Sequence, residues 1–134
     1  MSNALYSKGK QKILSGDIDF STDSILAALV KNTYSVNLST HEFLTDISTY
    51  VLNSAQTLSS KSVTNGVFDA ADITYTAVTA GDTALAVVLY KNTGVAGTSP
   101  LLAYIDTITG FPLATNGGDI TIQWDNGSYK IFSL

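Results

Sequence analysis

Apolar and polar residues alternate with a period of two over much of the chain from Thr57 onward, which predicts β-structure there. Residues 73–78, Ile-Thr-Tyr-Thr-Ala-Val, alternate cleanly and read as a half-buried strand. Residues 84–90, Ala-Leu-Ala-Val-Val-Leu-Tyr, are apolar throughout and read as a central strand covered on both faces. Residues 101–106 predict a further strand. Residues 92–100, rich in Gly, Thr and Ser, predict a loop, and residues 107–118 a long loop carrying Phe111-Pro112.

Two Asn-Gly pairs supply the positive-φ residues of type I′ turns. Asn65-Gly66 predicts a hairpin over residues 61–69. Asn126-Gly127 predicts another that ends the chain, pairing Asp125 with Ser128, Trp124 with Tyr129, Ile122 with Ile131, and Ile120 with Ser133. In that register Trp124, Tyr129, Ile122 and Ile131 share one face.

The first half is mixed. Residues 3–15 predict a short helix, with Leu5, Ile13, Tyr6 and Leu14 on one side and Gly16 at its C-terminal stop. Gly9 weakens that helix. Residues 25–30, Ile-Leu-Ala-Ala-Leu-Val, read as a buried strand because the run is too short for a helix. Ser39-Thr-His-Glu42 has the form of a capping box, and Leu38 and Phe43 that of a hydrophobic staple, so a two-turn helix is expected over 40–47. The expected fold is mainly β, an antiparallel sandwich or barrel-like sheet with a short N-terminal helix and one short internal helix. The chain reads as a single domain over 1–134, with 1–16 a candidate helical arm that orders against a neighbour.

Composition narrows the function. Charged residues make up 13% of the 134 positions, well below the usual quarter, and the net charge is −4. All seven basic residues are lysines. Without arginine or a basic face, a nucleic-acid partner is not expected. There is no cysteine, so disulfides and thiolate metal sites are excluded. No signal peptide is visible and no apolar run could span a bilayer, so a protein made in the cytoplasm, with no membrane partner, is expected.

Candidate chemistry is sparse. His41 is the only histidine, and neither a G-x-S-x-G motif nor a cysteine stands ready to form a triad with it. Asp17, Asp19 and Asp23 have calcium-loop spacing but lack the Gly and the distal bidentate Glu of an EF-hand, which leaves turn chemistry and calcium both open. Asn116-Gly117-Gly118-Asp119 precedes a strand, whereas a phosphate-cradling loop opens a helix. Tyr34, Tyr50, Tyr90, Tyr104, Phe111 and Trp124 are the aromatic pieces from which a sugar-binding face could be built. No catalytic, cofactor-binding or metal-ligating residue is assigned, no cofactor is expected, and an enzyme is not the expected class.

Five segments, residues 5–20, 25–30, 38–47, 63–69 and 117–127, together resemble a family of small virion structural proteins of tailed bacteriophages. In that family a short helix, a strand, a Leu-Ser-Thr-His helix start and a closing Gly-Gly-Asp-Ile…Trp-Asp-Asn-Gly hairpin recur in this order. Members often open Val-Asp-Thr after the first strand, where this chain has Val30-Lys31-Asn32. The resemblance implies a virion location and a non-enzymatic role, with a capsid decoration or cement protein expected on size, β-content and acidity. A tail, neck or baseplate component and a carbohydrate-binding module are the alternatives. It implies the major capsid protein or other virion proteins as partners, and a homo-oligomer, dimer or trimer. The candidate interaction residues are Leu5, Tyr6, Lys8, Lys12 and Phe111. Deleting the helix before Asp17 is expected to weaken attachment more than folding.

Overall fold

The computed structural model describes residues 3–124, 127 and 130–133. Its centre is an antiparallel sheet built from β1 (Ala4–Leu5), β2 (Ile25–Lys31), β3 (Val51–Thr57), β7 (Thr83–Lys91) and β8 (Leu101–Ile105), in the order β1-β8-β7-β2-β3. The short β9 (Leu113–Ala114) pairs with the start of β7. Between β2 and β8 in chain order lie β4 (Ser62–Thr64), β5 (Val67–Asp69) and β6 (Ile73–Tyr75). After β9 come β10 (Ile120–Ile122) and β11 (Phe132–Ser133). These form two small sheets, β10-β6 and β11-β5-β4, layered on one face of the central sheet. The mainly β, sandwich-like architecture expected from the sequence is the one found.

The apolar runs of β2 and β7 follow from burial on both faces. Ile25, Ala27 and Leu29 of β2, with Val87 and Leu89 of β7, pack against Phe68, Ile73, Tyr75, Ile120, Ile122, Trp124 and Ile131 of the second layer. The alternate residues Ala28, Val30, Ala86, Val88 and Tyr90 pack on the opposite face against Tyr6, Tyr34, Ile47 and Tyr104. The period of two in each strand thus feeds two cores from one sheet. Tyr75 is fully buried and ties the layers together, its hydroxyl donating to the Ala27 carbonyl at 2.6 Å, beside a register shift in the β2–β3 pairing.

The N-terminal helix is shorter than expected. Residues Ala4–Leu5 form β1 on the edge of the sheet, and the helix, α1, spans Ser7–Leu14. Gly16 has φ 85° and stops it as expected. Leu14 is 87% exposed, so it does not belong to the apolar side. Nor do these residues stand out as an arm. Tyr6 is fully buried, the Ser7 N–H donates to the Leu38 carbonyl, and Gly9 rests on the backbone of β8. Removing residues 1–16 would therefore open the Tyr6 core and cost folding directly, which runs against the expectation that their loss weakens attachment more than folding.

The capping-box helix over 40–47 does not form. Asn37 takes the capping role instead, its Oδ1 accepting from the Ser39 and Thr40 N–H groups. Asp46 reaches back to the Glu42 and Phe43 N–H groups, while the Glu42 side chain leaves to pair with Lys12 at 2.7 Å. Phe43 bridges Pro100, and only 3-10 turns follow, at Leu44–Asp46 and Ser48–Tyr50. Tertiary partners for Glu42 and Phe43 outweigh a local motif whose elements each contribute only about 1 kcal/mol.

The Asn65-Gly66 hairpin forms as expected, with φ 52° and 77° at the turn and β4 paired to β5. The strand expected over 73–78 ends at Tyr75, because Ala77 takes φ 49° and its N–H turns to the Asp119 carboxylate. The terminal hairpin is the largest departure. Ile122 pairs with Ile73 and Ile120 with Tyr75, while Phe132 pairs with Phe68. The expected pairs Ile122–Ile131 and Ile120–Ser133 are therefore replaced by pairing to two different strands. Asp125, Asn126, Ser128 and Tyr129 lie outside the described residues, and with them the expected pairs Asp125–Ser128 and Trp124–Tyr129. An isolated hairpin is marginal in water, whereas separate pairing buries Ile120, Ile122 and Ile131 in the interlayer core.

Candidate functional site

His41 is held by Tyr34, not by a nucleophile and an acid. The Tyr34 ring stacks on His41 at 5.5 Å, and its hydroxyl lies 2.8 Å from His41 Nδ1. The Asn37 N–H also points at Nδ1, at 3.4 Å, so this nitrogen is the acceptor. Tyr34 therefore donates to His41, and the Tyr6 hydroxyl donates to Tyr34 at 2.8 Å. The result is a one-way relay from the buried Tyr6 to the half-buried His41, framed by Tyr50 and Tyr104. Burial pushes the Tyr34 hydroxyl up to about 12 and raises that of Tyr6 further. The backbone N–H of Glu42 holds the nearby Asp46 carboxyl below its ordinary range, with lesser help from the Phe43 N–H and His41. A phenol disfavoured as phenolate at this depth is no nucleophile near neutral pH.

The sign of the tyrosine shift has a consequence in alkali. A phenol whose folded value lies above its unfolded value, near 10, contributes stability that is complete below about pH 10. That contribution is lost as pH rises towards about 12. Circular dichroism followed through an alkaline titration should show unfolding begin above about pH 10, coupled to tyrosinate absorbance. Tyrosinate appearing in full with the fold intact would contradict the assigned burial.

The Asp17–Asp23 loop is occupied by lysines. Lys91 Nζ lies 3.3 Å from Asp23 Oδ2 and donates to the Asp17 carbonyl, and Lys61 Nζ donates to the Asp23 carbonyl. Asp19 accepts from the N–H and hydroxyl of Ser21, which holds its carboxyl low. Two ammonium groups thus take oxygens that a calcium ion would need. Among the described residues no group of three His, Asp or Glu side chains is placed to hold a metal.

The expected interaction residues do not form one patch. Tyr6 is buried and committed to Tyr34, which removes it from any surface contact. Lys12 pairs with Glu42 and lies 5.1 Å over the Phe43 ring, clamping α1 to the 41–46 segment. Lys8 is half-buried on the same helix. Leu5 and Phe111 line two adjoining grooves that share Asn3 and Lys130.

The larger of these, about 810 Å³, lies between the loop after β8 and the segment after β10. Asp72, Asp106, Gln123 and Asn3 line it, with Thr107 and Thr109, over a floor of Ile108, Phe111 and Trp124. Asp72 is fixed by the Trp124 N–H at 3.0 Å, and Asn3 Oδ1 by the N–H groups of Asp106 and Thr107 at 2.9 and 3.0 Å. The Trp124 indole N–H donates to the Ala71 carbonyl at 3.0 Å, and only 6% of the residue is exposed. Of these residues only Phe111 and Trp124 were singled out as aromatic candidates from the sequence. Asp72, Gln123 and Asn3 come from three distant stretches, and no local pattern marks them. Among known proteins, the chain matches no family model and no curated sequence.

Proposed function

We propose that this chain is a non-enzymatic structural protein of a tailed-phage virion, a capsid decoration or cement protein that binds the head surface and stabilises the shell. The five-segment resemblance supports this reading, and one feature of the fold supports an assembly role in particular. Strand β4, Ser62–Thr64, is a sheet edge with all three residues exposed, and Val63 is 53% exposed. Natural edge strands are usually blunted by charge, proline or a covering element. This one carries no charge on its three residues and is left uncovered by the described residues, which suits strand pairing with a neighbouring virion protein. The weakly charged surface suits close packing against the major capsid protein, and the symmetry of a shell suits a dimer or trimer of this chain.

Gold-labelled antibody against the protein, viewed on intact particles by electron microscopy, tests the proposal. Label scattered over the head is the expected result. Label confined to neck or tail would replace decoration with a tail-side role. Particles that carry none of the protein, by label and by immunoblot of purified virions, would overturn the virion reading. A Val63→Lys variant should still fold, since the side chain is exposed, and should lose at least tenfold in occupancy on particles.

A further inference from the structure

We propose that the cleft between the β8–β9 loop and the segment after β10 is a binding site for a neutral saccharide. Its lining selects the ligand class. Asp72, Asn3 and Gln123 bring a carboxylate and two amides to one cleft, with the hydroxyls of Thr107 and Thr109 beside them. Carboxylates accept from hydroxyl groups, and amides both donate and accept, so the set matches adjacent ring hydroxyls of a sugar. Among the described lining residues one ammonium, that of Lys130, stands beside the carboxylates of Asp72 and Asp106, so they offer no excess of positive charge to draw phosphates or other anions. A predominantly apolar ligand is disfavoured because Ile108 and Trp124 show only 8% and 6% of their surface. Phe111, half-buried in the floor, supplies apolar surface of the kind a sugar's C–H groups require. At about 810 Å³ the cleft falls within the ~300–1,000 Å³ of small-ligand sites.

The polar groups are also set in place before any ligand arrives. Asp72 spends Oδ1 on the Trp124 N–H, and that bond aims the rest of the carboxylate. Asn3 spends Oδ1 on the turn at Asp106 and Thr107, which leaves its amide NH₂ as the donor end. Groups oriented by the fold lose little freedom on binding, which favours affinity.

Trp124 is the only tryptophan in the chain, so its emission reports on this cleft alone. The full chain should be titrated with cellotriose, maltotriose, chitotriose and glucose while Trp124 fluorescence is followed. A saturable change with at least one of them is expected. Gln123→Ala removes an exposed side chain and should weaken that binding about tenfold, with thermal stability unchanged. Asp72→Asn keeps an oxygen for the Trp124 N–H and should weaken it similarly. Saturation by a trisaccharide but not by glucose would mark a polysaccharide segment as the ligand. Equal saturation by glucose would mark a free sugar. No saturable response from any of the four, or a response that neither variant alters, would overturn the site. The outcome does not depend on whether the protein is found on virions.

Discussion

Replacing Gly9 with alanine should destabilise the protein by about 1–3 kcal/mol, although alanine is the better helix former by about 1 kcal/mol. Gly9 lies in the first half of α1, where the helix rests directly on β8. A Cβ there would meet the Leu101 carbonyl oxygen at 2.6 Å, with Leu102 Cα at 3.1 Å and its carbonyl oxygen at 3.3 Å. All three are backbone atoms of a buried strand, so no rotamer change relieves the clash. Either α1 lifts from the sheet or β8 shifts against β7, and both disturb the core around Tyr6. The melting temperature should fall by roughly 5–15 °C for a domain of this size. Gly97→Ala is the control, because a Cβ there meets nothing within 4 Å and φ is not positive. That variant should melt with the parent protein. If Gly9→Ala melts at or above the parent temperature, α1 is not pinned to β8 in the way described.

Gly9 also shows what could and could not be read from the sequence. As a residue type it marks only a weak point in a helix. Its reason, the approach of another backbone, depends on a strand more than ninety positions away and leaves no local trace. The elements that were legible are those whose signal is local or whose burial is complete. The apolar runs of β2 and β7 and the Asn65-Gly66 turn belong to that kind. The failures share a cause. The Ser39–Glu42 box and the terminal alternation are equally regular local patterns, but each was outbid by a distant partner. Lys12 takes Glu42, and Ile73 and Phe68 take the two arms of the terminal segment. The cleft was the least legible part, because Asn3, Asp72 and Gln123 meet only once the layers are assembled.

Truncating Tyr6 to alanine should be the most damaging single change at a side chain of the N-terminal segment, at about 3–5 kcal/mol. The ring is fully buried between β8 and the 34–50 segment, where it seals one face of the central sheet. Smaller changes along the relay should order themselves by how many partners each strands. Tyr6→Phe keeps the ring and removes a donor, while Tyr34 still donates to His41, so about 1 kcal/mol is expected. Tyr34→Phe removes the middle hydroxyl, leaving the buried Tyr6 O–H without its acceptor and His41 Nδ1 with only the long Asn37 contact. A stranded buried donor carries its full desolvation penalty, so about 2–3 kcal/mol is expected there. Equilibrium denaturation of the three variants should rank them Tyr6→Ala, Tyr34→Phe, Tyr6→Phe, from most to least destabilised. The double variant Tyr6→Phe with Tyr34→Phe should cost less than the sum of the singles, since Tyr6→Phe removes the donor that Tyr34→Phe alone would strand. Strict additivity would mean that the hydroxyls act independently, and the one-way relay would have to be abandoned.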